Sequence, residues 1–486
     1  MLLHRWLQAA NKKAGSDKAV VYRDTYLSWR GLAHRVDRRA AELHGMGIGA
    51  GDWVGLMLGN VPEFVILTLA ISKVKGVVVP LDPTTGSREL ESLLAVAPLR
   101  GLITRPRGGE SAAAGAPPTA SERKGRAEPH VQARRRLQGT LLTCSIHAPS
   151  SVPDVEDAQA VLVTADSCGD AKGVVRSGAG LLAATDQIAE TLDVTAKDRI
   201  LAAVPLYHAY GFDFGLALAL RTGATLYLED ELSEKRITKA LREDEVNFLP
   251  GTSAVYEALC RISTARPIKT KKARFLSAES RLERATYEQF QRRYGVRLMS
   301  CYHTTEAGPV AVDLRGQEPG TVGKPFEGVK VRVGDGDGDR DGGGGEGGSI
   351  WVKSGAISRR SVGSQRAADG RRVPVGGFDA GGWLRTGDLG KLDRAGRLSL
   401  TGREDDVVKV EGKRIALGEV EACIESFPRV AAVRAAIGRD PLGGSIVVAR
   451  VVPRGVLVAQ DIIDHCAKNL APYKVPRRVE FFAQLP

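Results

Sequence analysis

The hydrophobic positions of the first hundred residues alternate between helical and extended periodicity. Helical spacing marks residues 32–43 and 62–74, and Pro62 is tolerated in the first turn of the second helix because the N–H groups there have no intrahelical partner. Unbroken apolar runs at 53–58 and 77–81 predict two buried strands. Helices that alternate with buried strands predict an α/β fold with parallel strands.

The same alternation returns after residue 160. Apolar runs predict strands at 160–164, 225–228, 246–249 and 407–410, and helical patterns predict helices at 232–243, from residue 253 and from residue 417. Between these regions, residues 105–150 are rich in Gly, Ala, Ser, Pro and Arg. That composition predicts a flexible loop that encloses one short strand at 140–146.

Length and composition exclude several classes of protein. The 486 residues exceed one ordinary domain, and a hydrophobic content of 43% is typical of globular proteins. The first seven residues lack a basic region followed by a long apolar run, so we expect no signal peptide. No apolar stretch reaches the length of a membrane span. Six scattered cysteines without a C-x-x-C pair predict reduced thiols in a cytoplasmic protein.

The net charge of +12 is concentrated in two segments. Residues 100–136 contain nine basic and three acidic residues, and residues 261–297 contain eleven basic and three acidic residues. The first segment lies in the predicted loop, and the second reads as solvent-facing helix and turn positions. The first segment contains no aromatic residue on which a base could stack. We therefore expect no nucleic-acid partner; an acidic protein, such as a carrier protein, fits this charge better.

The most informative stretch covers residues 382–421. It reads Gly-Trp-Leu-Arg-Thr-Gly-Asp at 382–388, Gly-Arg-Glu-Asp-Asp at 402–406, Lys-Arg-Ile at 413–415 and Leu-Gly-Glu-Val-Glu at 417–421. By composition alone, these are charged turns and short strands on a solvated face. Their order resembles the adenylate-forming superfamily of acyl- and aryl-CoA ligases, luciferases and peptide-synthetase adenylation domains. There, W-x-x-T-G-D precedes G-R-x-D-D-x-x-K-x-x-G-x-R-I-x-x-x-E-V-E.

Residues 164–174 read Thr-Ala-Asp-Ser-Cys-Gly-Asp-Ala-Lys-Gly-Val and resemble the phosphate loop of that superfamily, T-S-G-T-T-G-x-P-K-G-V. Hydroxyls and backbone N–H groups on such a loop can close over triphosphate oxygens. It is not a Walker loop, because Gly-Lys-Ser/Thr is missing. The sequence departs from the pattern at Ala165, Asp166 and Ala171, and a carboxylate at 166 is unfavourable beside phosphate unless Mg²⁺ intervenes. The resemblance implies ATP contacts for Thr164, Ser167, Gly169 and Lys172.

Residues 205–208, Pro-Leu-Tyr-His, resemble the P-L-x-H-x-x-x-x motif of acyl- and aryl-CoA ligases. The residues that the resemblance places around the acid are His208, Ala209, Tyr210, Asp213, Ser277 and His303. A lone histidine is more often a core residue, but the match favours a functional His208. Asp213 either pairs with an amino or hydroxyl group of the acid or bridges nearby backbone. His303 replaces the usual Gly at the pocket floor, which predicts a compact pocket for an aryl or short acyl acid.

Two further turns complete the implied nucleotide site. Residues 275–282 resemble the S-G-G-A-P-L turn beside the adenine pocket, with Ala278 and Glu279 in place of glycines. Residues 302–306 resemble Y-G-x-T-E, in which Tyr stacks on adenine, Thr contacts the α-phosphate and Glu holds Mg²⁺. The resemblance therefore assigns these roles to Tyr302, Thr305 and Glu306. An aromatic plane, a hydroxyl donor and a hard oxygen ligand are the residue types that this chemistry needs.

The resemblance implies a large N-terminal domain of layered β-sheets and helices with a small barrel-like subdomain, and a small α+β C-terminal lid domain. We expect the boundary between them at residue 402, giving domains 1–402 and 403–486 with a hinge at Asp405. Asp388 would bind the ribose hydroxyls, Arg403 ribose or phosphate, and Arg414 the phosphates. Lys409 would face the thiol step. The catalytic candidates are Lys172, His208, Thr305, Glu306, Arg403 and Lys409.

The implied reaction converts a carboxylic acid and Mg·ATP to acyl-AMP and then transfers the acyl group to a thiol. ATP and Mg²⁺ are the expected cofactors, with CoA or a carrier-protein phosphopantetheine as the thiol. Residues 472–486 resemble the lead-in to a lysine that serves adenylation in the family, and the sequence given ends there. This leaves an alternative, an adenylation-deficient relative that transfers thioesters or serves as a binding protein. The oligomeric state stays open, with a homodimer as one alternative.

Overall fold

The computed structural model describes most of the chain. The described residues are 2–85, 90, 94, 99–105, 131–147, 157–165, 171–230, 233–262, 267–268, 272–280, 282–316, 320–334, 347–362, 365–366, 372–373, 377–404, 407–410, 413–439, 445–470 and 474–485. The chain divides into two compact units. The first contains residues 1–320, 325–330 and 353–375, and the second contains 321–324, 331–352 and 376–486. This division differs from the expected boundary at residue 402, which stays a prediction.

Two large sheets form the framework of the first unit. One contains, in spatial order, Gly308–Val312, Leu298–Thr304, Arg274–Ala278, Phe248–Thr252, Arg199–Ala202, Thr225–Leu228, Lys18–Tyr22 and Thr25–Ser28. The other has eight strands, in the order Ser361–Val362, Ala171–Ser177, Ala158–Ala165, Val77–Leu81, Trp53–Met57, Gly101–Thr104, Thr143–His147 and Val131–Arg136. The central strands pair in parallel, as the alternation of helices and buried strands predicted.

Helices connect these strands. In the first unit the α-helices are Leu3–Ala14, Trp29–Gly45, Pro62–Lys73, Gly178–Leu192, Ala209–Gly211, Leu218–Thr222, Glu234–Arg242, Ser253–Arg261 and Arg284–Tyr294. Local chemistry fixes several of their starts: the Ser28 hydroxyl accepts a hydrogen bond from the Gly31 N–H at 3.1 Å, and the Ser177 hydroxyl accepts one from the Gly180 N–H at 3.0 Å. Pro62 occupies the first turn of its helix, as expected.

An aromatic cluster fills the core beneath the first sheet. Phe290 is fully buried, stacks on Tyr294 with ring centroids 4.5 Å apart, and meets Tyr256 edge-on at 5.2 Å. The Tyr256 hydroxyl donates to the carbonyl oxygens of Leu249 and Leu276 at 2.9 and 2.8 Å. Burial of one such side chain stabilises the fold by roughly 1.5–3 kcal/mol. This packing fixes the strands whose ends carry the candidate site.

The second unit combines several smaller sheets. Four strands, Lys330–Val333, Gly348–Lys353, Leu384–Leu392 and Leu398–Arg403, form its first sheet, and Val407–Val410 pairs with Lys413–Ala416. A three-stranded sheet of Val430–Arg439, Ser445–Pro453 and Arg478–Phe481 packs with helices Leu417–Glu425 and Ala459–Asn469 around buried residues such as Val420 and Ile462. The short strands Gln365–Arg366 and Arg372–Val373 pair with each other in the first unit, and Lys324–Pro325 is the edge strand beside Gly308–Val312 in the first large sheet, which therefore has nine strands.

The predicted elements are largely confirmed, with two corrections. Residues 131–147 contain two paired strands, Val131–Arg136 and Thr143–His147, where one was expected, because the arginine-rich sequence of the first hides its extended pattern. Arg274, expected to face solvent, is buried instead. Its guanidinium contacts the Asp198 carboxylate and donates to the Leu192 carbonyl oxygen at 2.7 Å. A buried arginine with these partners is a structural residue of this fold.

Candidate active site

The first pair of candidate residues lies where two strands of the first unit bring opposite charges together. Lys172 is on strand Ala171–Ser177, and Glu306 is in the turn that follows strand Leu298–Thr304. The Lys172 Nζ lies 2.7 Å from the Glu306 Oε1, with 11% and 24% of the two side chains exposed. The motifs that resemble the phosphate loop and the Mg²⁺-binding turn therefore meet in space.

Hydrogen bonds hold the turn around Glu306. The Thr304 Oγ1 accepts a hydrogen bond from the Ala307 N–H at 3.0 Å, and the Glu306 carbonyl oxygen accepts one from the Ser358 N–H at 2.7 Å. The Ser358 hydroxyl donates in turn to the Val175 carbonyl oxygen at 2.6 Å, on the strand that carries Lys172. These two hydrogen bonds of Ser358 position the Glu306 carboxylate and the Lys172 ammonium relative to each other, and they were not predicted from the sequence.

A second charged group lies deeper in the same unit. The Arg176 Nη1 donates to the Asp213 Oδ2 at 2.9 Å, and the His303 Nε2 lies 3.1 Å from the same oxygen. These side chains are 0%, 0% and 1% exposed, respectively. The Arg176 Nη1 also lies 3.4 Å from the Thr305 carbonyl oxygen, so this buried group contacts the backbone of the nucleotide motif.

Burial and partners set the ionisation of this group. Burial by itself would raise the pKa of Asp213, but the charges and hydrogen bonds of Arg176 and His303 outweigh burial and lower it. Burial would likewise lower the pKa of His303, yet the hydrogen bond to Asp213 and the negative charges of Asp213 and Glu279 raise it. Asp213 is therefore an ion-paired carboxylate, and His303 is biased toward the imidazolium form.

An irregular helix presents Asp213 to its partners. Residues Phe212–Ala217 form a π-helical turn, a widened geometry that occurs frequently at functional sites. It follows Gly211, where an added Cβ would overlap with the Pro205 carbonyl oxygen. Only glycine lets the chain pass so close to residue 205. The P-L-x-H segment and the carboxylate of Asp213 are thus held together by backbone geometry.

Glu279 extends the charged group toward solvent. Its Oε1 lies 3.8 Å from the His303 Nδ1, and 44% of its side chain is exposed. Its backbone φ is +70°, which lies in the left-handed region that residues other than glycine rarely adopt. Glu279 therefore adopts a backbone conformation typical of glycine and places a carboxylate where the family pattern has glycine.

The second unit contains its own set of candidates. Asp388 and Arg403 are opposite each other on the paired strands Leu384–Leu392 and Leu398–Arg403, with the Arg403 Nη1 3.6 Å from the Asp388 Oδ1. The Thr386 hydroxyl accepts a hydrogen bond from the Asp388 N–H at 3.2 Å and orders the approach to this carboxylate. Lys409 and Arg414 are paired residues on adjacent strands, described here by their backbone only.

The remaining predicted residues have these positions. Thr164 is the partly buried, next-to-last residue of strand Ala158–Ala165, and Ser277 and Ala278 are buried at the end of strand Arg274–Ala278. Tyr302 and Tyr210 are buried, and His208 is exposed at the start of the short helix that contains Ala209. The Tyr207 and His208 rings lie 4.9 Å apart, and the Tyr210 and His303 rings 5.7 Å apart. Ser167, Gly169 and Asp405 lie outside the described residues. The roles of all these residues stay predictions.

Sequence reasoning missed Arg176. It occupies a strand whose neighbours Val174 and Val175 are buried, and a charge within such an apolar run is a signal that it has a buried partner. No local pattern indicates which residue that partner is. Asp213 is 37 positions away along the chain, and His303 is 90 positions beyond Asp213.

An α/β fold with these motifs on its strand ends defines an adenylate-forming enzyme. The "AMP-binding enzyme" family model matches residues 7–360, and the "AMP-binding enzyme C-terminal domain" model matches residues 419–486. The chain belongs to the AMP-binding enzyme family. The predicted superfamily membership and fold class are confirmed, and the expected domain boundary lies between the two matched segments.

Curated relatives are CoA ligases by name. The chain is 26% identical to a "Probable CoA ligase CCL9" from Humulus lupulus, over 95% of this chain and 89% of that protein. It is 24% identical to a "2-succinylbenzoate--CoA ligase" from Listeria monocytogenes, over 99% and 96%. The structure of ATP-bound MatB from Rhodopseudomonas palustris superposes with a TM-score of 0.79 at 21% identity, over 100% of this chain and 96% of that one. This last likeness shows the fold.

The residues present fit Mg·ATP. Among the described residues, no cluster of three or more His, Cys, Asp or Glu side chains could hold a metal ion. Mg²⁺ commonly binds through one or two carboxylates, water and substrate phosphates, so the single carboxylate of Glu306 suffices. The Lys172 ammonium, 2.7 Å from that carboxylate, would be the neighbouring cation for phosphate. Within the same described segments, no helix combines the length and apolar character that a bilayer crossing requires.

Proposed function

We propose that this protein activates a carboxylic acid, aryl or short acyl, with Mg·ATP and transfers it to the thiol of CoA. The observation that carries the proposal is the contact of 2.7 Å between Lys172 and Glu306, because it joins a phosphate-binding cation to a Mg²⁺ ligand at two family motifs. The names of the relatives support an acid–thiol ligase, and the acid class follows from the compact pocket predicted around His303.

The reaction has two steps, adenylation of the acid and transfer of the acyl group to the thiol. An oxygen of the substrate carboxylate attacks the α-phosphorus of ATP, a P–O bond forms, and the bond to pyrophosphate breaks. The thiol sulfur then attacks the acyl carbon of the mixed anhydride, a C–S bond forms, AMP leaves and the thiol proton passes to solvent. Positioning and charge neutralisation dominate catalysis of this kind. In the first step, Lys172 would bind phosphate oxygens and Glu306 would hold Mg²⁺.

The pairing of Lys172 with Glu306 prepares both groups for this role. Each charge has a partner before ATP binds, so neither is left unsatisfied in a site that is only partly exposed. With Mg·ATP present, Lys172 would bind phosphate oxygens and Glu306 would hold Mg²⁺, which would neutralise negative charge on the phosphates. Each residue would then keep a partner of opposite charge.

Acid-dependent ATP–pyrophosphate exchange tests the first step, with a panel of aryl, short acyl and long-chain acids. We expect exchange with an aryl or short acyl acid and a rate lower by about 10²–10³ in Lys172→Gln, the usual effect of removing one electrostatic contact to a transition state. Lys73→Gln removes the same charge from an exposed pair with Asp37 and is the matched control. Exchange that is unchanged in Lys172→Gln refutes the assignment.

The thiol acceptor and the assembly are tested separately. The names of the relatives favour CoA over the phosphopantetheine of an acyl carrier protein, and thioester formation with each acceptor at equal concentration decides between them. A homodimer is tested by sedimentation velocity of the intact chain. Binding of ATP without exchange for any acid would favour the alternative of a thioester transferase.

A further inference from the structure

Glu279 differs from the other three charged residues of the buried group. Arg176, Asp213 and His303 are almost completely buried, whereas 44% of the Glu279 side chain is exposed. A ligand that approaches from solvent therefore meets the Glu279 carboxylate before it can reach the others. Asp213, the residue predicted to meet the acid, has its Oδ2 occupied by Arg176 and His303. Its Oδ1 has no hydrogen-bond partner among the described residues, but 0% of the side chain is exposed to an approaching ligand.

The backbone of Glu279 indicates a constrained position. A non-glycine residue at φ of +70° is disfavoured, and such residues persist where the surrounding structure determines them. Strand Arg274–Ala278 ends directly before it, and five residues of that strand are paired in register with strand Phe248–Thr252. The strand therefore determines where the Glu279 carboxylate lies, beside His303.

The charge of the whole group decides what it can bind. Arg176 and Asp213 cancel each other as an ion pair. His303 and Glu279 together carry no net charge when the imidazole is protonated and one negative charge when it is neutral. Burial would raise the pKa of the Glu279 carboxyl, but the contact with His303 and the charge of His208 lower it. With Glu279 ionised, Arg176, Asp213, His303 and Glu279 carry no net positive charge, so the group offers no attraction for a second carboxylate.

We propose that Glu279 is a specificity-determining residue that selects carboxylic acids with an amino or hydroxyl donor over the unsubstituted acid. An ionised carboxylate only accepts hydrogen bonds, so it complements such a donor and repels another carboxylate. The proposal rests on the proposed function, since it assumes that the acid binds beside His303. It transfers to Glu279 the role of the pocket's polar residue that the sequence had suggested for Asp213.

Two matched series of acids test the proposal in the intact chain. One contains benzoate, the three aminobenzoates and the three benzenedicarboxylates; the other contains propionate, 3-hydroxypropionate and malonate. Values of kcat/KM for ATP–pyrophosphate exchange are compared in wild type, Glu279→Gln and Glu279→Gly. Glu283→Gln, an exposed carboxylate four positions away whose side chain makes no helix-capping hydrogen bond, is the matched control.

We expect wild type to prefer at least one amino or hydroxy acid over its unsubstituted parent by about 10-fold or more, as a hydrogen bond to a charged group allows. The preference should shrink in Glu279→Gln and disappear in Glu279→Gly, and dicarboxylates should improve in both. Glu283→Gln should retain the wild-type order. A preference for a dicarboxylate in wild type, or the same order of acids in all four proteins, overturns the proposal.

A binding measurement keeps this test separate from the proposed function. If no acid supports exchange, the proposed function fails, but titration calorimetry of the same acids still reports selectivity. Weaker binding of the preferred amino or hydroxy acid in Glu279→Gln, with unchanged binding in Glu283→Gln, supports the role of Glu279 without turnover. Equal binding of that acid by all four proteins refutes it. Thermal unfolding confirms folding, and Glu279→Gly should not lower the Tm because glycine favours a positive φ.

Discussion

Replacement of Arg176 by methionine should destabilise the first unit by about 3 kcal/mol. Breaking a buried ion pair costs about 3–5 kcal/mol, because the remaining charge is left without its partner in the interior. Both side chains are fully buried, so solvent does not screen the pair. Asp213 keeps the His303 Nε2 at 3.1 Å as a second partner, which places the cost at the lower end.

Unfolding in urea measures this cost. Trp6, Trp29 and Trp53 belong to the first unit, and Trp351 and Trp383 to the second, so Trp351→Phe/Trp383→Phe provides a background in which fluorescence reports on the first unit. The Arg176→Met variant should lower the unfolding midpoint without changing the slope. The double variant Arg176→Met/Asp213→Leu should recover part of the loss, because it removes the uncompensated carboxylate.

Two results would contradict this reasoning. A loss below about 1 kcal/mol in Arg176→Met is in the range usual for exposed ion pairs. It would mean that Asp213 does not depend on its buried partner. A double variant that loses as much as the sum of the single ones would mean that the two residues act independently. The control is Arg221→Met, which removes an arginine from a partly exposed pair with Asp186 on the same unit. We expect that control to cost less than about 1 kcal/mol.

Three further outcomes follow from the structure. Gly211→Ala should destabilise the protein by more than about 3 kcal/mol in the same urea assay, since the new methyl overlaps with the Pro205 carbonyl oxygen; a neutral variant would contradict the close approach. Because the pKa of His303 is raised above 6.5, its stabilising charge is complete below that pH and is lost as pH rises through the folded-state value. The stability difference between wild type and His303→Gln should therefore shrink as the pH rises above 6.5; a constant difference would contradict the charge assignment. Asp388→Ala should weaken ATP binding by about 1–3 kcal/mol in calorimetry, and equal affinity would remove Asp388 from the nucleotide site.

The sequence by itself determined the family and most of the regular elements. Periodicity located the strand at 77–81 and the helices that begin at Pro62 and Ser253, because these elements depend on local spacing and burial. The order of motifs from residue 164 to residue 421 was sufficient for the superfamily, since each motif is a short stretch whose residue types are required by the chemistry of ATP. Lys172 and Glu306 belong to two of these motifs, and the 2.7 Å contact between their side chains agrees with the assignment to the superfamily.

Only the tertiary structure decided how the charges of the interior are paired. The sequence did not single out Arg176, and it left Asp213 either to pair with a group of the acid or to bridge nearby backbone. The fold joins them because a π-helical turn, permitted by the close approach at Gly211, brings the carboxylate to the strand that carries Arg176. Such a pairing depends on residues distant in sequence and on the cost of burying a charge without a partner, which no local pattern encodes.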